Sequence, residues 1–221
     1  MKFICNRDEF ILEKCTGKSV LHIGATDWPH TEKKLSEGTL LYANLNEVVK
    51  SQVGIDLDKK TTDFLNDLNF KNSKVEIMDM NKIYDLNISV DIILFTETIE
   101  HVVNAGIALE NLKKIMKTGT ELIISTPNSY AVGNFFNAIK GREVQHPDHS
   151  LSFTHKTLLQ LLHKCDLEVS EFLYTSLPKS KDSIDKLNWK GRVDWAVQKK
   201  LAKRFPVMAP TLLFVAKKDI H

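Results

Sequence analysis

Two short apolar runs, each ending on a residue that a ligand can use, limit what this chain can become. Val20 to Ile23 breaks at Gly24 within KSVLHIGATDW, Lys18 to Trp28. The second lies in VGIDLD, Val53 to Asp58, and stops on Asp56 and Asp58. A buried strand ending in a glycine turn, then a second ending in an acid, is the nucleotide-site arrangement of doubly wound α/β sheets. The glycine admits close backbone approach, and the acid accepts hydrogen bonds from ribose hydroxyls. These residues specify a nucleotide-like ligand without naming it.

The rest of the chain keeps the same rhythm. Strand-like runs are read at Lys74 to Met78, Val90 to Phe95, Glu121 to Ser125, Leu167 to Tyr174 and Thr211 to Ala216. VDIILF, Val90 to Phe95, is continuously apolar, as a strand buried on both faces should be. Helical spacing is read at Arg7 to Lys14, Leu40 to Val49, Thr61 to Leu68, Ile107 to Met116 and Val132 to Ile139, and in a helix capped by Thr154. Thr31 to Glu37 is polar and carries no such spacing. This alternation predicts a Rossmann-like, mostly parallel sheet with helices on both faces, in one domain spanning residues 1–221. Ligands then bind beyond the carboxyl ends of the strands.

Composition narrows the setting. A net charge of +2 gives no global field for nucleic acid. Three cysteines without metal-ligand spacing suit a reducing compartment. No apolar run approaches the roughly 20 residues that span a bilayer, and the opening MKFICNRDEF meets acids too early for a signal peptide. A cytoplasmic protein is expected.

Four segments in order, VGIDLD, VEIMD, DIILFTETIEHV and KTGTELIISTPN, give the chain its resemblance to class I S-adenosylmethionine-dependent methyltransferases, from about Lys18 to Thr175 and again at the last strand. PNSYAVGNFF and GREVQHPDHSLSFTHKTLLQLL are similar to bacterial methyltransferases that decorate surface glycans. The resemblance implies a seven-stranded sheet whose last strand is antiparallel. It places Gly24 and Ala25 under the cofactor's methionine part, and Asp56, beside Leu57, at the ribose hydroxyls. Asp79 and the Met80 backbone fall at the adenine edge, and Thr96 beside the sulfonium. The first loop departs from the family pattern. His22 stands where an acid faces the cofactor's amino group, Ala25 and Thr26 where cysteine and glycine are common, and Trp28 at the last glycine.

Transfer to a hydroxyl needs a base within hydrogen-bond reach, and histidine, with an ordinary pKa of about 6.5, is suited to it. The catalytic candidates are His101 and Glu97, in ETIEH, and His149, in QHPDHS. ETIEH admits three readings: His101 as base, helix-start residues that bond backbone, or carboxylates and imidazole on Mg²⁺ or Mn²⁺, as in quinone-biosynthesis O-methyltransferases with a similar E-x-x-E-H run. H-P-D-H has too few ligands for a metal by itself, so no metal set is assigned. A basic insert at about 178–206 carries nine Lys or Arg against three acids between Lys179 and Arg204. It reads as an amphipathic arm for an anionic acceptor or acidic membrane surface, or as a solvated face packed on the domain or a second subunit. The function expected is O-methylation of a small-molecule or sugar hydroxyl by a protein able to form a homodimer. The alternatives are a catalytically silent cofactor-binding module and a nicotinamide-dependent oxidoreductase, which the absence of G-x-G-x-x-G disfavours.

Overall fold

The computed structural model describes residues 2–86, 88–176, 185 and 187–218. Eight strands form one sheet: β1 (Lys2–Ile4), β2 (Ser19–Ile23), β3 (Ser51–Asp56), β4 (Ser73–Ile77), β5 (Ile92–Thr96), β6 (Glu121–Pro127), β7 (Leu167–Thr175) and β8 (Thr211–Lys218). Their spatial order is β1-β7-β8-β6-β5-β2-β3-β4. The seven-stranded expectation is therefore corrected to eight. The added strand, β1, pairs in parallel with β7 at the sheet edge through Lys2, Phe3 and Ile4. Three residues are too few to show period-two patterning, so no sequence signal marked it. The last strand is antiparallel as expected, pairing in that sense with both β6 and β7.

Alternation along the central strands divides the core into two layers. Leu21, Ile23, Ile93, Phe95, Leu122 and Ile124 share one cluster with helices α5 (Ala105–Ile115) and α7 (His155–Lys164). Val20, Ile92, Leu94, Ile123, Leu213 and Val215 share another with α1 (Arg7–Cys15) and α3 (Leu41–Asn46). Successive strand residues point to opposite faces, so an unbroken apolar run such as β5 feeds both layers. Each fully buried Leu, Ile or Phe contributes roughly 1.5–3 kcal/mol.

The helices match the sequence reading with two differences. α2 (Thr31–Ser36) forms in the stretch that has no apolar period, and α3 is shorter than Leu40 to Val49. α4 (Lys59–Asp67) is capped by Asp58, whose carboxylate accepts from the Thr61 backbone N–H at 2.7 Å. α6 covers Val132–Ile139. Thr154 and Thr157 form a reciprocal capping box at the start of α7. From the basic insert, α8 (Trp189–Arg204) emerges with Ala202 buried and Trp189 and Val193 exposed. Lys179, Lys181, Asp182 and Lys186 of that insert lie outside the described residues. No described helix is long and apolar enough to cross a membrane.

This topology fixes where a ligand can sit. The chain builds β2, β3 and β4 outward in one direction, then returns to place β5 and β6 on the other side of β2. The strand order reverses there, and a crevice opens beyond the carboxyl ends of β2 and β5. Because β1 runs parallel to its neighbour, the start of α1 is delivered to the same rim.

Candidate active site

A cleft of about 580 Å³ occupies this switch point, a size within the roughly 300–1,000 Å³ of small-molecule sites. Of the sequence-predicted residues, His22, Gly24, Ala25, Asp56, Leu57 and Thr96 line it, as do Glu97, His101 and His149. Asp79 and Met80 follow β4 on the same rim but lie outside the cleft-lining set. Asp56 pairs with Ile77 across β3 and β4, so residues 56 and 79 still share one end of the sheet. Trp28, 59 % exposed, stands at the cleft wall and leaves the space open.

The first loop is shaped by close approaches. Gly24 has φ +70°, and a Cβ there would stand 2.5 Å from Thr98 Oγ1. Thr98, anchored on the Ile23 and Thr96 carbonyls, thus lies against this glycine on the side a Cβ would take, while Gly24 still lines the cleft. On β3, a Cβ at Gly54 would lie 2.7 Å from that of Ala25. The small pair lets the loop settle against the strand.

Asp56 is already heavily engaged. Oδ2 accepts from the Thr26 N–H (3.0 Å) and hydroxyl (2.9 Å), and Oδ1 from the N–H groups of Leu57 (2.8 Å) and Asp58 (3.1 Å). A carboxylate offers about four lone-pair sites. A ribose hydroxyl bound here must therefore share or replace the Thr26 hydroxyl bond, a consequence of threonine where the family pattern has glycine.

His22 is buried beneath the loop, and its Nδ1 has no hydrogen-bond partner among the described residues. Burial, with the nearby Arg7 charge, lowers its pKa to about 4. The ring is therefore neutral at pH 7, and its Nδ1 is left orphaned in the buried space under the loop. A histidine with a depressed folded-state pKa stabilises the fold above its unfolded value of about 6.5 and loses that stability as pH falls toward 4. His22→Leu is expected to flatten the decline in melting temperature between pH 6.5 and 4, read by thermal denaturation at stepped pH. An unchanged slope would contradict the burial argument.

The sequence reading missed the floor of the cleft. Arg7 and Asp8, both buried, line it from the first turn of α1. The Arg7 guanidinium lies 2.6 Å from Asp8 Oδ1 and 3.3 Å from Glu97 Oε1. Ser125 donates to that Glu97 oxygen at 2.8 Å. Glu97 has φ +49°, a conformation that non-glycine residues seldom adopt and that needs surrounding support. Its carboxylate is bound into this network, so the structure gives Glu97 the geometry of a positioning group. The only available sequence signal was an Arg-Asp pair after a capping Asn6, which resembles any helix start.

On the cleft wall, a 3₁₀ turn, Ile99–His101, follows β5. The Glu100 carbonyl accepts from the Ser150 and Leu151 N–H groups at 2.9 and 3.0 Å, pinning the loop after α6 to this turn. His101 and His149 are thereby brought ring to ring, with centroids 4.6 Å apart, and His146 lies 5.7 and 5.2 Å from them. Burial, then the charges of His101 and His146, lowers the His149 pKa. Glu100 is 2 % exposed and accepts from Thr126 Oγ1 at 2.9 Å. Burial, reinforced by Glu97, pushes its pKa up to about 8. The Glu100 side chain bonds the Thr126 hydroxyl, and it is the Glu100 carbonyl that ties the turn to the later loop.

A family model for the methyltransferase domain matches residues 11–171. The chain belongs to that family. S-adenosylmethionine is the methyl donor this membership implies, and the nicotinamide alternative is set aside. No curated protein matches the chain. Solved structures agree on the fold. A chain of the complex between the Haloferax volcanii Trm112 methyltransferase activator and a methyltransferase has a TM-score of 0.61 at 16 % identity, covering 96 % of this chain and 88 % of its own. An Aquifex aeolicus SAM-dependent methyltransferase has a TM-score of 0.59 at 15 % identity, covering 96 % and 89 %. The [4+2]-cyclase SpnF has a TM-score of 0.57 at 11 % identity, covering 97 % and 81 %. The fold therefore carries more than one reaction, and the acceptor must be argued from the site.

The residues of this methyltransferase fit its donor. His22, the Gly24–Ala25 turn and Asp56 line one cleft of suitable size, and the orphaned buried Nδ1 of His22 lies beneath it. The fit is looser at Asp56, where the Thr26 hydroxyl competes.

Proposed function

We propose that this methyltransferase transfers a methyl group to a hydroxyl of a small or sugar-containing acceptor, in the manner of enzymes that decorate bacterial glycans. The reading extends to one catalytic domain over the whole chain, a cytoplasmic location, and an anionic acceptor steered by the basic stretch around α8. The observation that carries it is the grouping of His101 and His149 on the wall of the donor cleft. S-adenosylmethionine supplies a methyl group already activated by a sulfonium.

The chain's own residues supply placement and proton transfer. His22, Gly24 and Asp56 hold the donor, with Thr96 at the end of β5 beside the reacting carbon and Asp79 and Met80 toward the adenine side. Arg7 fixes Glu97 so that the turn after β5 keeps its shape. His149, half-buried and biased toward its neutral form, takes the hydroxyl proton, and His101 meets its ring edge to face. Glu100 Oε1 lies 4.0 Å from His149 Nε2, and burial keeps that carboxyl mainly protonated at pH 7, so it supports the turn and supplies no full charge to the imidazole.

His149→Ala is expected to lower methyl transfer about 100-fold or more, as loss of a general base does, while donor binding stays within about threefold. Transfer of labelled methyl to a panel of saccharides and phenols measures the first, and calorimetry the second. Full transfer in the variant would overturn the assignment of the base.

A silent binding module is the second reading, favoured by the four donors already on Asp56. Tight donor binding without transfer to any acceptor of the panel would select it.

A further inference from the structure

We propose that His101, His146 and His149 form a binding site for one divalent transition-metal ion, of the zinc or cobalt type, on the wall of the cleft. One ligand atom from each ring lies within 4.8 Å of the other two. Tetrahedral zinc with bonds of about 2.0–2.1 Å draws its ligand atoms to about 3.3 Å from one another. Closing the site therefore requires the ligand atoms to draw together by up to about 1.5 Å.

Several features make this a built arrangement. The three rings come from two segments, the 3₁₀ turn after β5 and the loop before α7, which the bonds from Ser150 and Leu151 to the Glu100 carbonyl hold together. Within the loop, the His149 N–H donates to the His146 carbonyl at 3.1 Å, forming the tight turn that returns His149 toward His146. The Asp148 backbone N–H donates to His146 Nδ1 at 3.3 Å, which occupies that nitrogen and leaves Nε2 to face an ion. The nearest carboxylates, Asp148 at 3.8 Å from His146 Nδ1 and Glu100 at 4.0 Å from His149 Nε2, stand just beyond hydrogen-bond reach.

The ligand set also decides the class of ion. Imidazole nitrogens favour zinc, cobalt, nickel or copper, whereas Mg²⁺ and Mn²⁺ favour oxygen. The carboxylate-based set suggested by E-x-x-E-H does not assemble, because Glu97 is turned into the Arg7 and Ser125 network. H-P-D-H lacked a partner in sequence, and His101, 45 residues upstream of His146, supplies it. Three protein ligands leave an open fourth position, which suits a water or an acceptor oxygen. If the methyl-transfer reading is right, a bound ion would engage the lone pair of His149 in place of its action as base, and would lower the pKa of the acceptor hydroxyl so that its proton passes to water. The ion site itself does not depend on that reading.

The test uses the full, untagged chain stripped with a chelator. Co²⁺ is titrated in while visible absorption is followed, and Zn²⁺ is added as competitor. One equivalent of tetrahedral Co²⁺, displaced by Zn²⁺, is expected for the wild type. His146→Ala and the double variant His146→Ala/His149→Ala are expected to bind at least about 100-fold more weakly, beyond the usual loss for an outer-shell partner. His163→Ala, on the exposed end of α7, is the control and should bind normally. Circular dichroism checks that the variants fold. Absence of a stoichiometric signal in the wild type, or undiminished binding by a folded double variant, overturns the site. Binding of inorganic phosphate in place of Co²⁺, lost in the same variants, overturns it in favour of an anion site. Titration of S-adenosylmethionine into the stripped wild type separates the two proposals. Donor binding without Co²⁺ binding removes the ion site alone, and Co²⁺ binding without donor binding removes the methyl-transfer reading alone.

Discussion

Arg7→Met is expected to destabilise the protein by about 3–5 kcal/mol, the usual cost of removing one partner of a buried ion pair. The arginine side chain is 7 % exposed and that of Asp8 8 %. Its guanidinium also donates to Ser125 Oγ at 3.3 Å, the same oxygen through which Ser125 donates to Glu97. Methionine fills comparable volume but leaves both carboxylates without their cation in a poorly solvated floor. The cost comes from that uncompensated charge, so adding Asp8→Asn and Glu97→Gln should recover much of it. Arg7→Lys should fall between, since a lysine is a point charge and cannot reproduce the forked geometry. Urea unfolding at pH 7 measures all of these. A loss below about 1 kcal/mol for Arg7→Met would mean that water reaches the network freely, as for a surface pair.

The second large effect concerns donor affinity. Asp56→Ala removes a carboxylate that gathers four donors, two of them from the first loop. Hydrogen bonds to charged groups contribute roughly 1.5–3 kcal/mol each. Losing the ribose bonds alone should therefore weaken S-adenosylmethionine binding about 100-fold, equivalent to about 2.7 kcal/mol. Asp56→Asn keeps one acceptor oxygen and should retain part of that affinity. The Thr26 bonds link the same carboxylate to the shape of the loop, so Asp56→Ala should also lower thermal stability. Equal affinity in wild type and Asp56→Ala would remove Asp56 from the donor site.

Much of this architecture was legible in the chain because it rests on local signals. The continuous run in β5 and the glycine after β2 announced a doubly wound sheet, and the acid after β3 announced its ligand rim. Thr154 announced its helix through cap chemistry that acts within one turn. What escaped were features made by tertiary pairing. β1 is three residues long and exists because β7 offers an edge. Arg7 reaches the cleft only because that pairing aims α1 at the rim. The histidine cluster depends on backbone bonds between residues about 50 apart in sequence, Glu100 with Ser150 and Leu151. Asp58, the second acid of VGIDLD, is the cap of α4. Gly24 looked like an opening for ligand, and Thr98 lies against it.

The central claim is that the cleft at the ends of β2, β3 and β5 binds the methyl donor. Isothermal titration of S-adenosylmethionine into the purified wild-type chain tests it most directly. Saturable heat at one equivalent per chain is the predicted result. A wild-type chain that is folded by circular dichroism yet gives no binding heat at several temperatures would contradict it.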